Sequence, residues 1–98
     1  MQDRVPSAVG ARLRETRKLI DITARELDRL ACTTEGHASL IESGVVQNIT
    51  LETAGKLASV LGVSLDWLLS GRGTPPSAAS VQMSVDAARN IRSEVKAS

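Results

Sequence analysis

The chain contains one aromatic residue, Trp67, and neither Phe nor Tyr. Its core must therefore come from Leu, Val, Ile and Ala, which supply most of an apolar fraction of 42%. Sandwiches and barrels rest on aromatic and β-branched packing, whereas Leu, Ala, Glu and Arg are good helix formers. The expected class is all-α. A length of 98 residues allows one small core plus tails. A single cysteine excludes an intramolecular disulfide framework and a cysteine-based zinc site. The single histidine leaves few catalytic or metal constellations, so no cofactor and no metal are expected. No apolar run approaches the ~18 residues needed to span a bilayer. The opening MQDRVPSAVG lacks the apolar stretch of a signal peptide. The expectation is a cytoplasmic protein with no membrane partner.

The net charge of +1 conceals an uneven distribution. Residues 1–31 carry seven basic against five acidic side chains. Residues 32–71 carry Lys56 alone against Glu35, Glu42, Glu52 and Asp66. Residues 72–98 carry four basic against two acidic groups.

Start and stop signals mark five helices and a possible sixth. The first is expected from about Ser7 to Ile20, with Val9, Leu13 and Ile20 as its apolar stripe. Arg12, Arg14, Arg17 and Lys18 crowd its other faces, as on a solvated surface. Thr23-Ala24-Arg25-Glu26 reads as a capping box opening the second, with Leu27, Leu30 and Ala31 inward. Thr34 reads as the next cap, opening Glu35–Ser43, with Ala38 and Ile41 inward and Gly44 as its left-handed stop. Val45–Ile49 is a loop. Thr50 caps Leu51–Leu61, with Leu51, Ala54, Leu57, Ala58 and Leu61 on one face. Ser64 caps Leu65–Ser70, and Gly62 and Gly71 end these two. Gly71–Ser80 is a linker by composition. Within Val81–Lys96, residues Val81, Val85, Ala88 and Val95 lie roughly along one side. An isolated helix of that length is marginal in water. It is either disordered, paired with a second copy, or laid over the bundle of its own chain. The expected layout is an N-terminal arm at 1–6, a helical domain at 7–71, a linker at 72–80 and a dimerisation helix or disordered tail at 81–98.

Two short helices joined by a tight turn form a candidate helix-turn-helix, whose second member fits the DNA major groove. The sequence here resembles the DNA-binding domain of lambdoid phage repressors and Cro proteins, the XRE-type helix-turn-helix family. The resemblance rests on V-G-A-R-L-R-E-T-R from Val9, T-A-R-E-L-D-R-L-A from Thr23, I-E-S-G from Ile41 and L-A-S-V-L-G-V-S-L-D-W-L-L from Leu57. It spans about Val9–Gly71 and implies a five-helix repressor-like bundle with a core of Leu13, Leu27, Ala31, Ala38, Ile41, Leu57, Leu61 and Leu68. It also implies a structural ion pair between Arg17 and Glu42, and Trp67 partly buried. The DNA-facing positions it implies are Thr23, Ala24, Arg25, Thr34, Glu35, Gly36, His37, Ser39, Leu40, Ser43, Gln47 and Asn48.

Several of these positions depart from the family pattern. Ala24 stands where a phosphate-holding Gln is common. Glu35 accepts only from cytosine N4, and Leu40 offers only contact with a thymine methyl. His37 is open to a guanine or a phosphate. The loop Val45-Val46-Gln47-Asn48 has no Lys or Arg for phosphates. The arginines of the first helix and Arg25 are expected to compensate. Cys32 replaces a common turn glycine and must accept a positive φ. Asp28 replaces a small residue and is expected to aim its carboxylate at the N-terminal N–H groups of the third helix. Gly36 is expected to loosen that helix.

The expected function is a sequence-specific DNA-binding transcriptional regulator, a repressor acting on double-stranded DNA of the nucleoid as a homodimer. The alternative is a protein-interaction module of antitoxin or antirepressor type on a degenerate helix-turn-helix. Leu40, Val45 and Val46 would then form an apolar patch for a protein partner. No catalytic residues are expected. Cys32 and His37 belong to different helices and no carboxylate completes a triad. Gly71-Arg72-Gly73 follows a helix, not the strand that a phosphate loop requires.

Overall fold

The fold begins with helix ends that local chemistry closes. In the computed structural model, which describes residues 8–46 and 48–97 and the side chains of the last helix as far as Ile91, the helices are α1 Ala8–Lys18, α2 Ala24–Ala31, α3 His37–Ser43, α4 Leu51–Leu61, α5 Leu65–Ser70 and α6 Ala78–Ala97. All regular structure among the described residues is helical, so the all-α class holds. The N-terminal arm, Ser7 and Gln47 lie outside the described residues, as does the Val95 side chain.

Three helices stop in the same way, through one left-handed residue and a hydrogen bond from the residue beyond it. The Ile22 N–H donates to the Arg17 carbonyl across Asp21, the Thr33 N–H to Asp28 across Cys32, and the Val63 N–H to Ala58 across Gly62. This is the Schellman arrangement. Cys32 takes φ 59°, as its place in the turn requires. Asp21 takes φ 58°, so α1 ends at Lys18 and not at Ile20. An aspartate can fill the glycine role there because its short polar side chain tolerates the left-handed region.

All eight expected core residues are buried, and Ile22, Leu30, Ala54, Ala58, Val60 and Trp67 join them. Leu51, expected on the inner face of α4, is instead exposed. It is the first residue after the Thr50 cap, where Val60 further along takes an inner position. α1 crosses α3 closely at Gly10, where a Cβ would collide with the Ile41 carbonyl oxygen. That contact leaves no room for any other residue.

α6 starts at Ala78, so the connection from α5 is shorter than composition suggests. The Ser80 N–H donates to the Ser77 hydroxyl at 3.2 Å and the Ser77 N–H to the Ser80 hydroxyl at 3.3 Å. This reciprocal cap opens the helix inside a stretch that reads as linker. α6 then lies over α4 and α2 of its own chain, with Val81 and Val85 fully buried. Ser84 donates to the Ser59 carbonyl at 3.2 Å and occupies the space that a Cβ on Gly62 would need.

Candidate nucleic-acid interface

The α2–turn–α3 unit is assembled by one carboxylate. Asp28 is 1% exposed, near the end of α2. Its Oδ2 accepts from the Gly36 N–H at 2.9 Å and its Oδ1 from the Ala38 N–H at 3.1 Å. The Thr33 hydroxyl donates to Oδ1 at 2.7 Å. A helix start leaves N–H groups without internal partners, and here a side chain from the preceding helix satisfies them. The carboxylate thus holds α3 at its N-terminal end, where negative charge also complements the helix dipole.

This arrangement corrects the expected start of α3. Thr34 does not cap the helix, and Glu35 and Gly36 form a turn before His37. The His37 N–H donates to the Thr34 carbonyl at 3.0 Å. Gly36 has φ +91°, a conformation that glycine adopts at little cost. It shapes the approach to α3 and does not loosen its interior.

At the other end of α3, Glu42 is held by Arg17 of α1. Arg17 Nε donates to Glu42 Oε2 at 2.9 Å, and Nη2 to Oε1 at 2.8 Å. The third contact runs from Nη1 to the Ile22 carbonyl at 2.7 Å. The fork is bidentate, the geometry that guanidinium and carboxylate favour. The hydrogen bond to Glu42 raises the Arg17 pKa, burial opposes the shift, and the charge of Glu42 adds to it. Among the described residues no buried side-chain nitrogen or oxygen is without a partner.

With Ala38, Ile41 and Glu42 turned inward, α3 presents Ser39, Leu40 and Ser43 to solvent, and His37 is half-buried. Thr23, Arg25, Thr34, Glu35 and Asn48 are also exposed, while Ala24 and Gly36 are half-buried. Of these, Arg25 and Glu35 meet directly, Nε to Oε2 at 2.6 Å, with side chains 81% and 67% exposed. Gln47 lies outside the described residues. Beyond α3 the Val46 N–H returns to the Leu40 carbonyl at 3.1 Å. Val46 packs against the core, while Val45 and Leu40 are each 45% exposed.

The first helix contributes less cationic surface than its sequence suggests. Arg17 belongs to the pair with Glu42. Arg12 Nε donates to the Leu68 carbonyl at 2.8 Å and Nη2 to the Leu69 carbonyl at 2.9 Å. It therefore satisfies the last carbonyls of α5, a favourable place for a cation. Two of the arginines expected to compensate at phosphates are scaffold residues, and Arg14 and Lys18 stay exposed. Thr23 accepts from the Glu26 N–H at 3.0 Å. The Glu26 carboxylate, however, does not complete the capping box. It takes Arg89 of α6, Nε at 2.8 Å and Nη2 at 2.7 Å. Sequence reasoning missed Arg12 and Arg89, since neither a carbonyl acceptor nor a distant carboxylate leaves a local signature.

A protein-family model described as helix-turn-helix matches residues 13–68, from within α1 into α5. Comparison with curated proteins and with solved structures returns no match.

Proposed function

The chain belongs to the XRE-type helix-turn-helix family of DNA-binding regulators, which is not an enzyme family, and from that premise we propose that it is a sequence-specific repressor acting as a homodimer. Two copies of α3 would enter successive turns of the major groove, ~34–36 Å apart on a palindromic site. The observation that carries this reading is the division of α3 into two sides. Asp28 and Arg17 hold its inner side at both ends, and Ser39, Leu40 and Ser43 are left for the groove. Leu40 suits a thymine methyl, Glu35 a cytosine amino group, and His37 a guanine or a phosphate. Arg25 reaches a phosphate by leaving Glu35. An exposed pair of that kind is worth only ~0–1 kcal/mol, so the exchange is inexpensive. Thr23, Ala24, Thr34, Gly36, Gln47 and Asn48 complete the proposed contact set, and the proposed setting is the cytoplasmic nucleoid.

The test is selection of genomic fragments by the purified protein at two salt concentrations. Enrichment of a palindrome, weakened by salt with a slope that counts phosphate contacts, is the expected result. No enrichment at low salt overturns it. A second reading then applies, favoured by one observation. No Lys or Arg occurs between residues 32 and 50, and Leu40 and Val45 are half open to solvent. That face would bind a protein partner.

A further inference from the structure

The proposed contact set holds one full cation, Arg25, and one carboxylate, Glu35, and the two are paired with each other. Arg25 Nε donates to Glu35 Oε2 at 2.6 Å. The pair joins the first turn of α2 to the turn that leads into α3. The backbone is fixed at both ends. α2 starts on the Thr23 cap, which accepts from the Glu26 N–H at 3.0 Å. The turn around Glu35 is held by the Gly36 N–H to Asp28 at 2.9 Å and by the His37 N–H to the Thr34 carbonyl at 3.0 Å.

The pair contributes little to the fold. Its side chains are 81% and 67% exposed, so solvent and salt screen it. What it alters is the charge offered to DNA. The neighbouring Glu26 carboxylate takes Arg89, and residues 32–50 hold no Lys or Arg to share the task of meeting phosphates. In the free protein Glu35 cancels the charge of Arg25. On a duplex Arg25 turns to a phosphate, and Glu35 is left as an unpaired anion beside the DNA backbone. Cytosine relieves that state, because its N4 amino group is the base-edge donor suited to a carboxylate in the major groove. Adenine does so less well, since its N6 amino group lies beside the N7 acceptor.

We propose that Glu35 is a specificity-determining residue that acts chiefly against DNA lacking a cytosine at its position. It competes with phosphate for Arg25 in the free protein, and in the complex a cytosine amino group compensates it. Specificity is a difference of affinities, and a repulsive group raises it by weakening the wrong complexes. The proposal rests on the DNA-binding reading above and deepens it: the main effect of Glu35 falls on the sequences that it does not suit.

The experiment is a double-mutant cycle on the full chain, with Glu35→Ala, Arg25→Gln and the two combined. Each protein is titrated at low salt against two short duplexes, one of A·T pairs only and one of G·C pairs only. Alanine brings no hydrogen-bonding group to the base edge. Both positions are exposed, so the fold is expected to be kept, and thermal melts check it. Glu35→Ala is expected to bind the A·T duplex roughly fivefold more tightly than the parent, the scale of one exposed charge pair. On the G·C duplex it gains nothing, because the lost bond to cytosine offsets the relief. With Arg25→Gln already in place, the gain on the A·T duplex is smaller, since only repulsion by phosphates remains to be relieved. No gain on the A·T duplex, or an equal gain on both duplexes, overturns the proposal while the DNA reading stands. An equal gain with and without Arg25 also overturns it, because Glu35 would then act through net charge and not through its pair. Absence of binding by the parent and all three variants at low salt overturns the DNA-binding reading itself.

Discussion

At the scale of single residues, the polar groups with most influence are those that replace something the backbone lacks. Asp28 supplies acceptors to the start of α3. Asp28→Ala leaves the buried Ala38 N–H and the Gly36 N–H without that acceptor. An unsatisfied buried donor costs ~1–3 kcal/mol, so a loss on the order of 3 kcal/mol is expected. Asp28→Asn, which keeps one acceptor oxygen, should lose less. Urea midpoints check both, and equal midpoints for Asp28→Ala and the parent would remove Asp28 from its role. Cys32 sits at φ 59°, where a side chain costs roughly 1–2 kcal/mol in the left-handed region. Cys32→Gly is expected to raise stability by up to about 1 kcal/mol, a gain offset in part by glycine's freedom in the unfolded chain. A lower melting temperature would contradict this. Arg17 has its pKa raised, chiefly by the hydrogen bond to Glu42. Its pairing is therefore present in full below the ordinary guanidinium value and is lost only as pH climbs past that strongly basic range. Melts between about pH 6 and pH 10 should show no step from this arginine. Glu42→Ala, which leaves the guanidinium partly buried without its carboxylate, should cost on the order of 3 kcal/mol at any pH in that window.

At the scale of helices, legibility followed the range of the signal. α4 and α5 read correctly because Thr50 and Ser64 cap them from the adjacent residue and glycines close them. The start of α3 did not, because its acceptor is Asp28, on another helix. Thr34, just ahead of Glu35, reads as a cap until that carboxylate is in place. The start of α6 was hidden for a different reason. Ser77 and Ser80 cap each other within a Pro- and Ser-containing stretch whose composition indicates a linker. The apolar face of α6 was visible, but not what it covers. Since Val81 and Val85 are buried in their own chain, removing residues 74–98 is expected to destabilise the bundle as well as alter any dimer. Val85→Ala alone should cost about 2 kcal/mol, the loss of buried methyl groups plus the cavity left behind. A melting temperature unchanged by Val85→Ala, together with an unchanged sedimentation mass on truncation, would mean that α6 supports neither.

At the scale of the whole molecule, the family and the bundle were legible because they rest on repeated short-range patterns, whereas the electrostatics of the interface were not. Twelve basic residues give no indication of which are committed. Arg12 was indistinguishable from Arg14 until the carbonyls of Leu68 and Leu69 came within reach. In the proposed complex, Arg25→Gln should weaken binding to all sequences alike and reduce the salt slope by about 0.9. Leu40→Ala should instead relax discrimination at a single base pair, by about 1 kcal/mol or somewhat more, with the slope unchanged. Parallel titrations on matched and mismatched duplexes separate the two. The hold that Asp28 and Arg17 exert on α3 has a further consequence for how such a protein can diverge. The contacts by which Asp28 and Arg17 fix the helix involve no side chain of Ser39, Leu40 or Ser43, so substitutions at these positions leave that hold intact. Under the proposed DNA-reading role the chain would be a holder with an exchangeable key: new target sequences would be reachable by substitutions at a few outward sites, and the same freedom would allow the key to be lost while the holder persists.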